Sequence, residues 1–457
     1  MAPDAPPGGG AYRMTQPTRI LVLGAGAREH AFAWKLSSEP GVNEVVVAPG
    51  SAAIGAEHRV RCLPEVDPLD SEAVVRAARS TAAELVVVGP EAPLAAGVVD
   101  ALVDAGIRVF GPTRGAARIE SSKAFCHDVA EAAGVRMARA RAFRPDEAAA
   151  ARAYVAELGA AGRGIVLKQD GLAAGKGVTV YDDVTLALEH VPAYLEGRGE
   201  GPALVVEEQL RGLEASVICV GDGRDAVALP ASRDHKRLCD GDLGPNTGGM
   251  GAYSPLPDLP GDLVDRLVEG VHRPILAELA RRGTPFVGFL YAGLMLTEDG
   301  PVLLECNARL GDPEAQVILP RLAAPLGPVL AAAARGNLRA VVADERLPVF
   351  AGAAVGIVLA SEGYPGTPKR GLPIEGLEAA RGAGALVFHG GSVGRPGGGY
   401  GTSGGRVLTV VGRGADLPRA RDAAEVAVRR VSWAGMQRRH DIAATLPPKP
   451  AVAGAGR

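Results

Sequence analysis

Residues 165–180 have the sequence IVLKQDGLAAGKGVTV, in which two short apolar segments flank a loop rich in glycine. The β-branched residues on both sides predict two strands joined as a hairpin. Glycine lets backbone amides approach phosphate oxygens, and lysine neutralises phosphate charge. The loop differs from a Walker A loop, because Gly177 stands where a magnesium-binding Ser or Thr is required and a strand follows instead of a helix. We predict a flap from Lys168 to Gly177 that covers a triphosphate; a plain turn is the alternative for this stretch alone.

Two acidic segments further along the chain carry groups that a nucleotide site needs. Glu207 and Glu208 end the apolar segment LVVEEQL, and Glu214 follows after a turn. Glu305 and Asn307 lie two residues apart in PVLLECNAR, so a strand there places both on one face. Carboxylate and amide oxygens suit a magnesium ion that also binds phosphates. We predict a metal site at these two residues, with an internal ion pair to an arginine as the alternative.

The segment before residue 118 alternates short apolar strands with alanine-rich helices, which predicts a parallel sheet with crossover helices. Its first strand ends in GAGAREH, a sequence close to the dinucleotide fingerprint. Glu29 replaces the third glycine, where it would crowd the packing of helix on strand, and the second strand ends in Pro49 where a ribose-binding acid is required. A dehydrogenase is therefore disfavoured. Gly24 and Gly26, before the helix, predict an anion site for a sugar phosphate, with a ligand-free turn as the alternative.

Changes in pattern along the 457 residues predict a multidomain protein of α/β and α+β class. The middle region combines antiparallel strands with helices, and the last region has three strands and an amphipathic helix. The predicted divisions are a disordered extension (1–17), an open parallel α/β domain (18–118), a central domain (119–344, with a flap subdomain at about 135–206), a small α+β domain (345–443) and a loose tail (444–457).

The composition excludes several classes of protein. A formal net charge of -3 gives no basic surface for nucleic acid or anionic membrane. The five cysteines are far apart and form no C-x-x-C pair, which disfavours a disulfide framework or a zinc site. The first residues lack the apolar core of a signal peptide, and no stretch of about 18 apolar residues predicts a membrane span. We expect a cytoplasmic protein without nucleic-acid or membrane partners.

The spacing of Lys123, Lys168, the glycine loop, the acidic pair and Glu305 with Asn307 resembles that of the ATP-grasp superfamily. Within it, the chain resembles the phosphoribosylamine–glycine ligase family from about residue 19 to 443. Gln169, Cys306 and Ala308 depart from residues common in that family, but none of them removes a group that the chemistry requires. The motifs that carry the resemblance are GAREH, GPEAPLAAGVVD, FGPTRGAARIESSKAF, DGLAAGKGV, DHKR, GPNTGGMGAYSP, FLYAGLM and NARLGDPEAQ.

The resemblance implies a central ATP-grasp domain and an ATP-dependent carboxylate–amine ligase of de novo purine biosynthesis. Glycine would attack ATP to form glycyl phosphate, and the amine of 5-phosphoribosylamine would displace phosphate to give glycinamide ribonucleotide. It also implies Mg²⁺ or Mn²⁺ beside the co-substrate ATP, and we expect a monomer. Two alternatives are a related purine-pathway ligase or carboxylase that uses formate or bicarbonate, and a nucleotide-binding regulatory protein without turnover.

The resemblance further implies roles for individual residues. Arg309, Asp312 and Lys236 would be catalytic, and Glu305 and Asn307 would bind the metal. The implied ATP-binding residues are Lys123, Lys168, Gly171, Gly175, Lys176, Gly177, Glu207, Glu208, Leu210 and Glu214. The implied substrate-binding residues are Gly24, Gly26, Arg28, Glu29, Gly89, Pro90, Glu91, Asp234, His235, Asn246, Thr247, Gly248, Gly249, Pro313 and Glu314.

Overall fold

The computed structural model describes residues 16–173, 177–196 and 201–446. Gly175 and Lys176 of the predicted flap lie outside these ranges, so their role stays a prediction. The same holds for most of the predicted extension (1–17) and tail (444–457).

The strands and helices follow one another through the whole described chain. The strands are β1 Arg19–Gly24, β2 Glu44–Pro49, β3 Val60–Cys62, β4 Leu85–Val88, β5 Val109–Phe110, β6 Ala140–Phe143, β7 Ile165–Gln169, β8 Val178–Tyr181, β9 Leu204–Glu208, β10 Leu213–Asp222, β11 Ala226–Ala228, β12 Arg233–Asp234, β13 Arg237–Cys239, β14 Leu243–Asn246, β15 Gly251–Ser254, β16 Val287–Thr297, β17 Gly300–Asn307, β18 Ala353–Ala360, β19 Pro373–Ile374, β20 Leu386–His389, β21 Ser392–Gly394, β22 Tyr400–Thr402 and β23 Arg406–Gly414. The helices are α1 Ala27–Ser37, α2 Ser71–Ser80, α3 Glu91–Ala96, α4 Val98–Asp104, α5 Arg114–Ser121, α6 Lys123–Ala132, α7 Ala148–Ala160, α8 Val184–Leu195, α9 Gly261–Leu267, α10 Arg273–Arg281, α11 Glu314–Ile318, α12 Leu326–Ala333, α13 Leu377–Gly382 and α14 Leu417–Val428.

The first sheet is parallel, in the order β3-β2-β1-β4-β5. Its central strands are buried on both faces, which explains why their sequences are continuous apolar runs rather than alternating ones. The strand order reverses between β1 and β4. A ligand crevice forms at such a reversal, outside the carboxyl ends of the two strands, and the segments that follow β1 and β4 both enter the site described below.

A second, antiparallel sheet has the order β6-β9-β7-β8 and carries the glycine-rich hairpin between β7 and β8. Helices α7 and α8 cover one face and share a separate apolar core with it, which includes Phe143, Val155 and Leu167. A third sheet, in the order β11-β10-β16-β17, presents β17 to the same space. The hairpin and β17 therefore face one another across a gap.

The C-terminal sheet has the order β12-β15-β18-β23-β20, so it begins with two strands from the segment predicted to belong to the central domain. All four residues of β15 are buried, and pairing with β18 satisfies a backbone edge that would otherwise be exposed. The division predicted at residue 344 therefore passes through one sheet. The loop between β12 and β15 leaves this sheet and carries the hairpin of β13 and β14.

The sheets share apolar cores. One cluster joins Val45 of the parallel sheet, Ile218 of the third sheet and Phe388 of the C-terminal sheet. Among the described residues, no helix has both the length and the apolar character needed to cross a membrane.

Candidate active site

A cavity of about 700 Å³ lies among the parallel sheet, the flap sheet and the third sheet. One end is apolar: Met137, Val166, Val180 and Leu304 form its walls, next to the segment that follows Glu208. Apolar walls beside free backbone groups suit a flat heteroaromatic base. The rest of the cavity carries many charged side chains of both signs.

Lys168 lies between the apolar end and the charged end. Its Nζ lies 2.8 Å from Glu207 Oε2 and donates to the Leu304 carbonyl at 2.9 Å. Glu207 also pairs with His127 at 2.8 Å. Burial opposes ionisation of Glu207, but the Lys168 ammonium and His127 lower its pKa. The Glu207 carboxylate thus fixes the direction of the lysine.

The start of the flap is tied to the start of α6. Asp170 accepts hydrogen bonds from Ser122 Oγ at 3.0 Å and from the Ala124 amide at 3.1 Å. Lys123 Nζ donates to the Gly171 carbonyl at 2.9 Å, and burial lowers the pKa of Lys123. These contacts bring the two predicted phosphate-binding lysines, Lys123 and Lys168, to one cavity.

Glu305 and Asn307 lie on one face of β17 and both line the cavity, as their spacing predicted. The closest cation to Glu305 within the described ranges is Lys236, at 3.9 Å. Burial opposes ionisation of Glu305, but Lys236, Lys168 and Lys123 lower its pKa, so the group is a carboxylate at neutral pH. The two oxygen donors fit a divalent ion that takes its other ligands from phosphates and water. No cluster of three or more His, Cys, Asp or Glu that could hold a metal occurs in the described part of the chain.

Lys236 lines the same cavity and forms an ion pair with Glu214 at 2.9 Å. Burial disfavours its charge, but Glu214 and Asp234 raise the pKa of Lys236 well above its usual value. Lys236 is therefore an ammonium at neutral pH. Burial raises the pKa of neighbouring Asp234.

The alternative to a metal site was an internal ion pair between Glu305 and an arginine. Arg309 does not form this ion pair. It forms ion pairs with Glu120 at 2.8 Å and with Glu91 at 3.2 Å. Arg28 lies 3.8 Å from the same Glu91 carboxylate. Burial opposes ionisation of Glu91, but Arg309 and Arg28 lower its pKa to about 2. The two guanidinium groups are thus held at the end of the cavity next to the parallel sheet.

Glu29 occupies space that two glycines provide. Its Oε2 accepts the Gly26 amide at 2.7 Å, which caps the start of α1. A Cβ added to Gly24, whose φ is +122°, would lie 2.5 Å from Glu29 Cγ, and one on Gly89 would lie 2.2 Å from Glu29 Oε1. The expected crowding by Glu29 was therefore wrong, because Gly24 at the end of β1 and Gly89 directly after β4 have no side chain. Gly24 and Gly89 make room for the carboxylate instead of lining the cavity.

The loop after β17 carries two further carboxylates. Asp312 accepts from Gln316 Nε2 at 2.8 Å on one oxygen and from Arg406 Nη2 at 3.0 Å on the other. Glu314 accepts from Ser216 Oγ at 3.2 Å, and burial together with repulsion from Asp234 raises the pKa of Glu314 to about 7. Both oxygens of the Asp312 carboxylate thus accept hydrogen bonds from protein groups. The Glu314 carboxyl group, by contrast, gains or loses its proton near neutral pH.

Most of the predicted site residues in the described ranges line this one cavity. Five do not: Gly24, Gly89, His235, Gly249 and Pro313. His235 Nδ1 lies 3.8 Å from Asp242, and its buried Nε2 has no hydrogen-bond partner among the described residues. A Cβ on Gly249, whose φ is +111°, would lie 2.5 Å from Pro313 Cδ, so the glycine allows the loop of Pro313 to approach closely.

Glu120, His127 and Arg406 also line the cavity and were missed from the sequence. His127 lies four residues after Lys123, hence on the same helical face, and this spacing could have identified it. Glu120 lies within FGPTRGAARIESSKAF, one of the motifs of the resemblance. Arg406 offers no such signal, because its contacts lie 94 and 158 residues away in the chain.

A glycine-rich hairpin, two lysines and a pair of oxygen-bearing side chains on the facing strand fit an ATP-dependent ligase of the ATP-grasp class. Comparison with known proteins identifies the family. Models of phosphoribosylglycinamide synthetase match residues 18–120 (N domain), 121–315 (ATP-grasp domain) and 354–445 (C domain). The chain belongs to the phosphoribosylglycinamide synthetase family, whose members are phosphoribosylamine–glycine ligases of purine biosynthesis.

Curated relatives and solved structures agree with this assignment. The phosphoribosylamine–glycine ligase of Streptomyces coelicolor is 50% identical over 93% of this chain and 99% of its own length, and that of Leifsonia xyli is 46% identical over 93% and 99%. The crystal structure of the Thermotoga maritima phosphoribosylamine–glycine ligase has a TM-score of 0.78 at 33% identity, covering 93% of this chain and all of that one. Biotin carboxylase of Campylobacter jejuni has a TM-score of 0.64 over 93% of both chains, but at 14% identity this likeness shows the fold alone. The predictions of the fold class and of the ligase activity are confirmed.

Proposed function

We propose that this chain joins glycine to 5-phosphoribosylamine at the expense of ATP, through glycyl phosphate, at the cavity described above. The observation that carries this proposal is that two separate sets of cationic side chains line the two ends of the cavity. Its flap end holds Lys123, Lys168 and the oxygen pair on β17, and its other end holds Arg28 and Arg309. The cavity therefore offers one cationic end to a nucleotide and another to a phosphorylated amine. The two ligands would meet near Glu305.

At the nucleotide end, the base lies between the apolar walls and contacts the backbone near Leu210. Lys123 and Lys168 neutralise the phosphates, and Glu214 accepts from the ribose. The flap excludes water, which limits hydrolysis of the acyl phosphate. Positioning and charge neutralisation suffice for phosphoryl transfer, so no nucleophilic side chain is required.

Glu305 and Asn307 would hold Mg²⁺ or Mn²⁺. When bound, the ion would supply positive charge to the triphosphate during transfer of its terminal phosphoryl group. Both residues present oxygen atoms, and the Glu305 carboxylate has no tight ion pair in the described structure, which leaves it available as a ligand.

At the acceptor end, the Arg309 guanidinium orients the glycine carboxylate and the transferring phosphate. The first turn of α1 and the segment around Pro90 and Glu91 accommodate the phosphoribosyl group. Glu314 accepts the proton that the attacking amine releases. The bond from the acyl carbon to the phosphate oxygen then breaks, and inorganic phosphate leaves as the amide forms.

The test is a comparison of carboxylate donors. The purified chain receives ATP, Mg²⁺ and freshly generated phosphoribosylamine together with glycine, bicarbonate or formate, and ADP is measured. ADP release that depends on glycine supports the proposal. ADP release driven by bicarbonate or formate but not by glycine would refute it.

The finer predictions, namely the domain boundaries, a monomeric state and a cytoplasmic location, remain predictions. Size measurement in solution checks the monomer directly.

A further inference from the structure

Arg406 connects the C-terminal sheet to the cavity. It is the first residue of β23 and pairs with Ala360 at an irregularity in the register with β18. The backbone around it is fixed on both sides: Ser361 donates to the Gly405 carbonyl, and Gly391 donates to the Arg406 carbonyl, each at 2.8 Å. The side chain therefore starts from a rigid base.

The guanidinium group of Arg406 holds two loops at once. Nη1 donates to the Asp312 carbonyl at 2.6 Å and also to the Gly248 carbonyl. Nη2 donates to Asp312 Oδ2 at 3.0 Å. A guanidinium is planar and presents several donors in a fixed arrangement, so a lysine cannot reproduce this set of contacts.

A second side chain of the C-terminal sheet region fixes the same glycine. The hydroxyl of Tyr364 accepts from the Gly248 amide at 2.9 Å. Gly248 is thus held through its carbonyl by Arg406 and through its amide by Tyr364. The adjacent Thr247 binds the Lys236 carbonyl through both its amide and its hydroxyl, each at 2.8 Å.

These contacts concern the acceptor end of the cavity. Asp312 lies in the loop that ends in Glu314, and Gly248 lies in the loop that is bound to Lys236. No contact of Arg406 with the flap or with Lys168 is present among the described residues. Arg406 contacts the Asp312 loop directly, whereas its link to Glu214 at the nucleotide end runs through Gly248, Thr247 and Lys236. A change at Arg406 should therefore affect the amine substrate more than ATP.

We propose that Arg406 is a positioning residue, through which the C-terminal sheet holds the loops of Gly248 and Asp312 in the arrangement that receives the amine substrate. This inference rests on the proposed function. Without the arginine, glycyl phosphate still forms, but the amine is captured less often and water hydrolyses more of the intermediate. ADP is then released without formation of the amide.

The experiment compares Arg406→Gln and Arg406→Lys with wild type. The control is Arg413→Gln, an exposed arginine on the same strand. We expect kcat/KM for phosphoribosylamine to fall about 10- to 100-fold in Arg406→Gln, the range for loss of a hydrogen-bonded charged group, with the KM for ATP within about two-fold. The ratio of ADP to glycinamide ribonucleotide should rise, and Arg406→Lys should recover part of the loss.

Tyr364→Phe is the second variant. It removes one hydroxyl from the same contact network and should shift the ADP-to-product ratio in the same direction by a smaller factor. If Arg406→Gln does not fold, the ADP-to-product ratio of Tyr364→Phe provides the test of the positioning role. An unchanged ratio in the folded variants, or an equal loss for ATP and for the amine, would overturn the positioning role. Failure of wild type to couple ADP release to glycine would instead refute the proposed function.

Discussion

Two cationic side chains of the cavity are held by carboxylates in the absence of substrates. Lys168 is held by Glu207, and Arg309 by Glu91 and Glu120. Removal of one partner from such a buried pair leaves an uncompensated charge and costs roughly 3–5 kcal/mol. The site is therefore preorganised by carboxylates, and individual residues can be tested for a positioning role or for contact with a substrate.

The metal assignment predicts the effect of Glu305→Gln. An amide binds a divalent ion more weakly than a carboxylate does, so we expect loss of turnover, measured as ADP release at saturating ATP and glycine. Asp299→Asn is the matched control, because Asp299 lies in the turn before the same strand and its side chain is 86% exposed. Near-normal activity in Glu305→Gln would remove Glu305 from the metal site.

Glu91 predicts a pH dependence of stability. Its pKa is lowered from 4.5 to about 2 in the folded protein, against the effect of burial, by Arg309 and Arg28. A lowered carboxylate pKa contributes stability above the unfolded value, and this contribution is lost as the pH falls from about 4.5 towards 2. In Glu91→Gln, the decrease in free energy of unfolding between pH 6 and pH 3 should be smaller by about 2 kcal/mol, the part of the contribution that is lost between these two pH values at 1.36 kcal/mol per pKa unit.

Denaturant unfolding at the two pH values provides the measurement. Glu72→Gln serves as the control, since the Glu72 side chain is 89% exposed. An identical pH dependence in wild type and Glu91→Gln would contradict the predicted pKa of Glu91.

At the scale of elements, the flap hairpin and α6 form one unit. Asp170 binds Ser122 and the amide of Ala124, and Lys123 reaches back to Gly171. The position of the flap thus depends on a helix start that lies about 50 residues earlier in the chain. The proposed closure of the flap over ATP should weaken when this link is cut.

Asp170→Ala tests the link. Loss of a helix-capping carboxylate costs about 1 kcal/mol, and we expect the KM for ATP to rise roughly five-fold if this cost falls on the closed flap. The KM is measured by ADP release at saturating glycine and amine. Asp182→Ala, at an exposed position after β8, is the control. An unchanged KM for ATP in Asp170→Ala would show that ATP binding does not depend on the contacts between the flap and α6.

Local patterns predicted the elements well. The β7–β8 hairpin follows from a glycine loop between β-branched segments, and the shared face of Glu305 and Asn307 follows from the two-residue period of a strand. Long-range pairing could not be predicted in the same way. Nothing local indicates that β15 pairs with β18 about 100 residues later, or that Arg406 reaches Gly248, because such contacts depend on the packing of whole sheets.

At the scale of the whole molecule, the C-terminal sheet is completed by β12 and β15. The loop between β12 and β15, which carries Lys236 and Gly248, therefore starts and ends in that sheet. The C-terminal region is thus part of the site as well as part of the core, which contains Ala354 and Phe388 beside residues of the parallel sheet.

This arrangement predicts the outcome of truncation. A chain that ends at residue 344 exposes the edge of β15 and loses Arg406 and Tyr364, so we expect an aggregating, inactive protein. Solubility and ADP release measure the effect. Co-expression of residues 345–457 as a separate chain should restore part of the solubility and part of the ADP release. A soluble, fully active truncation would contradict the role assigned to the C-terminal sheet.

The central claim is that ATP activates the carboxylate of glycine, and an isotope experiment tests it most directly. Glycine labelled with ¹⁸O in both carboxylate oxygens is supplied with ATP, Mg²⁺ and phosphoribosylamine, and the inorganic phosphate is analysed by mass spectrometry. If glycyl phosphate forms, one ¹⁸O passes to each phosphate released and the other stays in the amide. Phosphate without ¹⁸O, released together with the amide product, would contradict the account.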